Sequence, residues 1–382
     1  FFFTSKVKFS DIQKELKADE ALVEIIRLRK YEQVLSTDSR YLALIVSKSN
    51  PQPKLVVMEN GNDLENKHAK SYRVSMKNKI NDEQSYTHFW APLDADLKGK
   101  KTVYVSLDGI FNQVNLNTLK KAGGDYLIKQ YDFILVGNPG DLVTNSKKAK
   151  GAASKKATLV GFPDYGAGVI VQLPGTKTEV DGINQLLKSS GYQVSELIQR
   201  DATETNLKSA KQVSVLHIAT HGYFLKDVDK TNWPLGVHAD NAKDNVLLRS
   251  GLMLTGASEA DKAKTGLDST NNGIMTSYEA MNLDLKGTSL VVLSACETGL
   301  GEVKAGEGVY GLQRAFLVAG ADAIVMSLWK VDDAATQQLM NNFYSNWVKS
   351  GDKQKAFRQA QVQLMAKFKE PLYWGAFVMM EN

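Results

Sequence analysis

The sequence has 382 residues, of which 43% are hydrophobic and 23% are charged; these values are typical of a globular protein and exclude a largely disordered or fibrous chain. Lys and Arg number 47 against 42 Asp and Glu, so the formal net charge is only +5. Because this excess is small and spread along the chain, nucleic acid is not an expected partner.

The first 150 residues contain five short apolar runs that are separated by turn residues, a pattern typical of strands. The runs are 21–26, 41–46, 55–58, 102–106 and 133–136. Two stretches, 11–16 and 90–97, carry spaced apolar residues and are predicted to be helical. A Lys-rich segment at 145–156 has no apolar periodicity, which predicts an exposed connection and a domain boundary.

Residues 151–382 alternate predicted strands and helices. The strands are 157–162, 213–219, 290–294 and 323–327, and the helices are 179–189, 307–319 and 357–368. This alternation predicts an α/β fold in which a mostly parallel sheet is covered by helices on both faces. Two polar stretches, 226–245 and 257–273, are expected to be functional loops or disordered.

Two reactive side chains follow two of the predicted strands. His221 comes just after strand 213–219, and Cys296 comes just after strand 290–294. In open α/β sheets the carboxyl edge of the strands is where ligands bind. A thiol whose pKa is lowered by a neighbouring imidazolium is a nucleophile at neutral pH, so the pair suits acyl transfer. The backbone amides of Gly222 and Cys296 are the candidates for stabilising an oxyanion.

Less specific interpretations apply to the same residues. A single cysteine after a strand is often a small core residue. His217 lies inside the apolar strand and is expected to point into the core. His217 and His221, four residues apart on a strand, are separated by about 13 Å, so they are not expected to share a metal ion. No metal or other cofactor is predicted.

Cysteine content and hydropathy bear on location. Cys296 is the only cysteine, which excludes an intrachain disulfide and favours a reducing compartment. No secretory signal pattern and no bilayer-length apolar run is present, so a cytoplasmic location without a membrane partner is expected. The chain opens at Phe1 without an initiator Met, and we expect it to be part of a longer protein.

Whole segments of the sequence resemble the CHAT family, caspase-like cysteine peptidases of clan CD that are often fused to tetratricopeptide repeats. The segments that carry the resemblance are 214–222, 293–299, 306–316, 327–333 and 373–377, with weaker upstream landmarks at 104–109 and 173–176. The resemblance implies a caspase-like three-layer αβα sandwich of two related halves. Residues 1–150 would be a degenerate half, and residues 151–382 the catalytic half.

The same resemblance implies specific roles for residues. His221 and Cys296 would be catalytic, Gly222 would serve the oxyanion, and the protein would cut a specific protein substrate. The expected setting is bacterial signalling or defence, with control by a tetratricopeptide-repeat or sensor partner. The alternatives are a caspase-like scaffold that binds without cutting, and a cysteine acyltransferase or non-peptide hydrolase.

The region expected to bind the substrate residue before the cut departs from the caspase signature. Ser294 stands in place of the signature's Gln, and Glu297 and Thr298 follow the nucleophile, so a pocket that selects Asp is not expected. The residues predicted to form the pocket are Ser294, Trp329, Asp332 and Asp333. Paired carboxylates would favour Lys or Arg in the substrate, although either Asp could instead cap the helix that follows. The Lys-rich segment and the stretch 257–273 are predicted sites of self-cleavage or of ordering on activation.

Overall fold

The computed structural model describes residues 7–32, 34–58, 60–147, 154–168, 170–224, 245–259, 271–296, 298–299, 302–304 and 308–382. Its strands are β1 (Glu20–Glu32), β2 (Val34–Ser47), β3 (Lys54–Met58), β4 (Thr102–Ser106), β5 (Asp132–Val136), β6 (Lys156–Pro163), β7 (Gln193–Gln199), β8 (Val215–Ala219), β9 (Gly222–Phe224), β10 (Ser250–Met253), β11 (Ile274–Thr276), β12 (Leu290–Ser294), β13 (Glu302–Lys304), β14 (Gly308–Tyr310), β15 (Ala323–Ser327) and β16 (Phe377–Glu381).

The helices lie between these strands. They are α1 (Phe9–Glu15), α2 (Gly61–Asp63), α3 (Ala69–Asn78), α4 (Gln84–Phe89), α5 (Ala91–Asp94), α6 (Asp141–Lys147), α7 (Pro174–Ser189), α8 (Glu204–Lys208), α9 (Ser277–Ala280), α10 (Leu312–Val318), α11 (Asp333–Ser350), α12 (Lys353–Lys367) and α13 (Pro371–Trp374). A π-helical turn, Leu64–His68, joins α2 to α3. Short 3-10 turns occupy Ala95–Leu97, Gly109–Gln113, Leu116–Thr118, Leu127–Lys129, Val246–Leu248 and Ala257–Glu259.

One eleven-stranded sheet organises the molecule, in the order β3-β2-β1-β4-β5-β16-β15-β12-β8-β6-β7. Neighbours are parallel except in the pairs β1–β2, β2–β3 and β15–β16. The last strand, β16, pairs in parallel with β5 and antiparallel with β15. Strands β1, β4 and β5 therefore run opposite to β15, β12, β8, β6 and β7, and β16 joins the two groups.

Helices cover the two groups of strands unequally. Beside β6, β8, β12 and β15, one face packs on α7, α11 and α12 and the other on α8, α9 and α10. Beside β1 to β3, one face packs on α3, α4 and α5. On the other face, side chains of β1 and β2 form a small buried cluster with side chains from α1, the residue after it and α6: Ile12, Leu16, Leu22, Val46 and Val143.

The expected α/β class with a mostly parallel, helix-covered sheet is confirmed. Every predicted strand is present, because apolar β-branched runs between turn residues suit a buried sheet. Helix α7 begins at Pro174, five residues before the predicted start, since proline is favoured in the first turn of a helix. The boundary between residues 150 and 151 stays a prediction; residues 148–153 of the Lys-rich segment lie outside the described residues.

One predicted helix differs from the structure, and several strands were not predicted. The helix expected from residue 307 begins at Leu312, because Gly308 and Gly311 disfavour helix and β14 pairs with β13. Strand β16 was not predicted, since its sequence Phe-Val-Met-Met-Glu has a single β-branched residue and two methionines, which favour helix. Six other strands were also missed: β7, β9, β10, β11, β13 and β14. Most of the two polar stretches, namely residues 226–244 and 260–270, lies outside the described part.

Candidate active site

Strands β8 and β12 place the two predicted reactive side chains side by side. The strands are parallel neighbours, and Ser294 pairs with Ala219 at their carboxyl ends. Cys296 and His221 each lie two residues beyond this pair, on backbones that a sheet holds about 4.8 Å apart. Both residues line one cleft of about 560 Å³. The structure therefore brings together the thiol and imidazole that the sequence had singled out.

Backbone and ring contacts hold His221 in place. Its carbonyl oxygen accepts a hydrogen bond from the Met253 amide (2.9 Å), and its amide donates to the Tyr165 hydroxyl (3.4 Å). The Tyr165 ring lies against the imidazole, with centroids 5.4 Å apart, and its hydroxyl also contacts the Thr220 hydroxyl at 2.9 Å. Burial raises the pKa of Tyr165, so the phenol stays protonated in the physiological range.

The imidazole Nε2 lies 2.8 Å from the carbonyl oxygen of Val171. A carbonyl oxygen can only accept, so this contact assigns the proton to Nε2 and leaves Nδ1 as the basic nitrogen. The carbonyl therefore orients the ring and fixes the tautomer that a general base needs. Every residue has a backbone carbonyl, so the residue type at position 171 does not indicate this contact. The sequence analysis therefore could not predict it.

The turn that carries Cys296 is tied to the end of β15. The Ser327 hydroxyl donates to the Ala295 carbonyl (2.5 Å), and the Gly299 amide donates to the Ser327 carbonyl (2.7 Å). Gly222 faces this turn so closely that an added Cβ would lie 2.9 Å from the Cys296 carbonyl oxygen. Only a residue without a side chain fits there, so the position suits a backbone amide that approaches the reacting centre.

The four residues predicted to bind substrate divide between two cavities. Ser294 and Asp333 line the cleft that contains Cys296. Trp329 and Asp332 line a neighbouring cavity of about 600 Å³. The Asp332 carboxylate caps α11 by accepting from the Ala335 amide (2.9 Å), so the capping alternative describes Asp332. The Asp333 side chain lines the cleft that contains Cys296 and lies close to Gly175 in the first turn of α7.

Two charged residues of the cleft were not predicted. Lys330 lines both cavities. Glu179, on α7, lines the cleft that contains Cys296 although it is almost completely buried; its Oε1 lies 3.1 Å from Nε2 of His217. His217 is fully buried, as expected, and its Nδ1 contacts the Tyr344 hydroxyl at 3.2 Å. In the sequence, Glu179 is one of several polar residues of a predicted amphipathic helix. The helical pattern does not indicate that its side chain lines the cleft.

Among the described residues, no group of three or more His, Cys, Asp or Glu side chains is arranged to hold a metal ion. None of the helices in that part of the chain has the length and apolar character needed to cross a membrane.

Comparison with known proteins gives a family and several distant likenesses. The profile of the CHAT domain matches residues 83–382. Tetratricopeptide repeat protein 28 of Mus musculus is 24% identical over 278 residues, which is 68% of this chain and 11% of that protein. Its Homo sapiens counterpart is 23% identical over 277 residues, again 68% and 11%. The chain thus spans about a tenth of the length of the curated relatives it matches.

Among solved structures, the Arg-specific cysteine proteinase gingipain R is 10% identical, with a TM-score of 0.46 over 84% of this chain and 74% of that one. The Saccharomyces cerevisiae separase–securin complex is 11% identical, with a TM-score of 0.46 over 78% of this chain and 17% of that one. The family assignment rests on the profile match, which covers most of the chain.

Proposed function

The chain belongs to the CHAT domain family, and we propose that it is a cysteine endopeptidase whose nucleophile is Cys296 and whose general base is His221. The observation that carries the proposal is the register of β8 and β12, which sets both residues at one strand edge and in one cleft. The Val171 carbonyl on Nε2 of His221 supports it, because this contact leaves Nδ1 free to accept a proton. The chemistry needs no cofactor.

The proposed reaction has two steps. His221 takes the proton of the Cys296 thiol, and the thiolate attacks the carbonyl carbon of the scissile peptide bond. The backbone amides of Gly222 and Cys296 stabilise the resulting oxyanion. His221 then protonates the leaving amine, which departs and leaves a thioester on Cys296. In the second step His221 takes a proton from water, the hydroxide attacks the thioester, and the acid product leaves while the thiol regains its proton.

Charges in the cleft suggest which substrate residue precedes the cut. Two carboxylates, Asp333 and Glu179, and one ammonium, Lys330, line it. We propose that Asp333 favours Lys or Arg at this substrate position through a charge-assisted contact. Ser294 lies beside the nucleophile and shapes the same pocket. Trp329 and Asp332, in the neighbouring cavity, are assigned to substrate residues further from the cut.

Control by a partner protein belongs to the same proposal. Both curated relatives are named tetratricopeptide repeat proteins, and repeats of this kind are our candidate for a regulatory module. A role in bacterial signalling or defence, in the cytoplasm, is the setting that the family resemblance suggested. A reducing compartment suits a protein whose nucleophile is its single cysteine.

Covalent labelling tests the proposal. Peptidyl acyloxymethyl ketones with Arg, Lys, Leu, Met or Asp beside the warhead are incubated with the protein, and intact mass is measured. We expect one label on wild type and none on Cys296→Ala. We expect a rate at least about 100-fold lower on His221→Ala, since the base no longer activates the thiol. His88→Ala, in α4, is the matched control and is expected to label like wild type.

The same panel tests specificity. Wild type is expected to react fastest with the Arg and Lys peptides, and Asp333→Asn is expected to lose that preference while still reacting with Leu. Equal labelling rates for all five peptides would reject Asp333 as the determinant of substrate preference. The proposed role of Cys296 as the nucleophile would not be affected. Folded wild-type protein that accepts no peptide would instead support the alternative of a caspase-like scaffold that binds without cutting.

A further inference from the structure

Strands β1 to β3 expose an apolar surface on the side away from α3, α4 and α5. We call it the outer face; its aliphatic side chains are those of Ile26, Leu28, Leu42, Leu44, Leu55 and Val57. The residues that alternate with these on the same strands, such as Val23 and Ala43, are completely buried. Leu55, by contrast, is 50% exposed, and Leu28 and Val57 are each 44% exposed. Single exposed aliphatics are ordinary, but a contiguous group of them marks an interaction site.

The strand register makes this surface continuous. Ile26 lies beside Leu42, and Leu42 lies beside Val57. One row further along, Leu44 lies between Glu24 and Leu55. In the next row, Leu22 lies beside Val46, and both are buried with side chains of α1 and α6. A groove of about 690 Å³ opens where this cover ends, and Phe9, Ile12, Glu24 and Leu44 are among its lining residues.

Glu24 is the one acidic side chain within these rows. It is half-buried among aliphatic side chains, and burial raises the pKa of its carboxyl group. In the described part of the chain, no Lys, Arg or His side chain lies within ion-pair distance of it. A carboxylate that has lost part of its hydration gains most from a single cation placed against it. The outer face therefore combines an apolar surface with the carboxylate of Glu24 in one row and with Arg40, which lies beside Leu28, two rows away.

We propose that the outer face binds an amphipathic helix of a separate protein, which sets aliphatic side chains on the six residues above and a Lys or Arg against Glu24. Helices lie on both faces of β8, β12 and β15, and a bound helix would complete the same layering over β1 to β3. A helix with aliphatic residues at i, i+3, i+4 and i+7 presents a stripe of the required width.

A second copy of this chain is the competing occupant of the outer face. A twofold contact would repeat each residue on both sides of the interface, and it would bring Glu24 of one copy into the same interface as Arg40 of the other, which lies beside Leu28 on this face. The layering of helices over both faces of β8, β12 and β15 favours a helix instead, and the test below separates the two occupants. The inference concerns a face remote from the peptidase chemistry and does not depend on it.

The test uses two synthetic helical peptides of about 18 residues, or about five turns, with an identical leucine stripe and either Lys or Glu at its centre. Fluorescence anisotropy measures their affinities for the full chain. We expect the Lys peptide to bind at least about tenfold more tightly, which is about 1.4 kcal/mol. Leu55→Asp and Leu28→Asp should each abolish binding, and Glu24→Gln should remove the preference for Lys over Glu. Val318→Asp, at an exposed valine on α10, should bind like wild type.

Thermal melts identify any variant that fails to fold, and the two aspartate variants lie on different strands so that one can replace the other. Three results would overturn the proposal. They are absence of binding by the Lys peptide, equal affinity for the two peptides, and binding that survives both aspartate variants. Self-association of wild type that Leu55→Asp abolishes would also overturn it, by identifying a second copy as the occupant.

Discussion

Two regions of the molecule place polar side chains near the carboxyl ends of parallel strands. One is at β1 and β4, the other is at β8 and β12, and the two differ in how these side chains are paired. Beyond β4, the Asp108 carboxylate accepts hydrogen bonds from the amides of Arg27 (2.9 Å) and Gly109 (2.7 Å). The Arg27 guanidinium is bidentate on Glu65, at 2.6 and 3.0 Å. Tyr41 donates to the same Glu65 at 2.9 Å. These polar groups are satisfied within the protein.

Beyond β8 and β12 the arrangement is open. His221 is held through its backbone and through Nε2, and Cys296 is half-buried beside it in a cleft large enough for a substrate side chain. In the first arrangement the charged groups pair with one another, whereas in the second a thiol and an imidazole face the cleft. We infer that the polar groups beyond β4 serve stability and that those beyond β8 and β12 serve the chemistry proposed above.

Gly222→Ala tests the arrangement beyond β8 and β12 and should have the largest effect of the substitutions considered. The new Cβ would lie 2.9 Å from the Cys296 carbonyl oxygen and 3.0 Å from Cγ2 of Thr298, so it must displace either its own amide or the nucleophile turn. We expect the second-order rate of acyloxymethyl ketone labelling to fall about 100- to 1000-fold, as for loss of an oxyanion-hole donor.

Gly182→Ala in α7 is the matched control, because its Cβ meets the flexible end of Asn341 (3.0 Å) and no backbone atom is among its nearest contacts. The control should retain the wild-type rate. A Gly222→Ala variant that labels as fast as wild type would remove Gly222 from the proposed site.

Glu65→Ala tests the paired charges of Arg27 and Glu65 near β1 and β4. It removes the anion that pairs with Arg27, whose side chain is 13% exposed, and it leaves the Tyr41 hydroxyl without its acceptor. Breaking a buried pair costs about 3–5 kcal/mol; with partial exposure we expect a loss of about 2–3 kcal/mol in the free energy of unfolding, measured by urea denaturation. The labelling rate per folded molecule should not change, because the network is remote from Cys296.

The pH dependence of stability gives a second measurement on the same carboxylate. Burial opposes ionisation of Glu65, but the hydrogen bonds from Arg27 and Tyr41 outweigh it, and the pKa lies below its ordinary value. A lowered pKa contributes stability that is present above about pH 4.3, the ordinary value for Glu. That contribution is lost as the pH falls through the folded-state pKa. Glu65→Gln should therefore show a smaller loss of stability below pH 4 than wild type, and parallel pH profiles would contradict the assignment.

The difference between the two strand ends also explains what could be predicted from the sequence. His221 and Cys296 each follow a buried apolar run, so the strand pattern predicted where they emerge, and the structure places both in one cleft. Their catalytic roles rest on the resemblance of whole segments to a family and stay a prediction. Glu65 pairs with Arg27 across 38 positions from a π-helical turn, and no local pattern specifies that contact. The Val171 carbonyl and strand β16 were hidden for related reasons. The first is a backbone group, and the second has only one β-branched residue beside two methionines, so neither carries a local signal.

Tyr165→Phe should have the smallest effect. It tests how far the position of His221 depends on the Tyr165 hydroxyl. The change removes the hydroxyl that contacts Thr220 (2.9 Å) and accepts from the His221 amide (3.4 Å), but it keeps the ring against the imidazole. A lost buried hydrogen bond costs about 1 kcal/mol, so we expect kcat on a peptide substrate to fall about three- to tenfold. KM should not change, because Tyr165 is not among the residues that line the cleft.

Tyr131→Phe is the matched control at the first half, since it removes a hydroxyl that donates to Asp94 (2.7 Å) far from Cys296. It should lower stability by a similar amount and leave both kcat and KM unchanged. If both variants lowered kcat alike, the effect would be one of general stability, and Tyr165 would lose its role as a positioning residue. If only Tyr165→Phe lowers kcat, then the geometry of the thiol–imidazole pair depends on a hydroxyl that never meets the substrate.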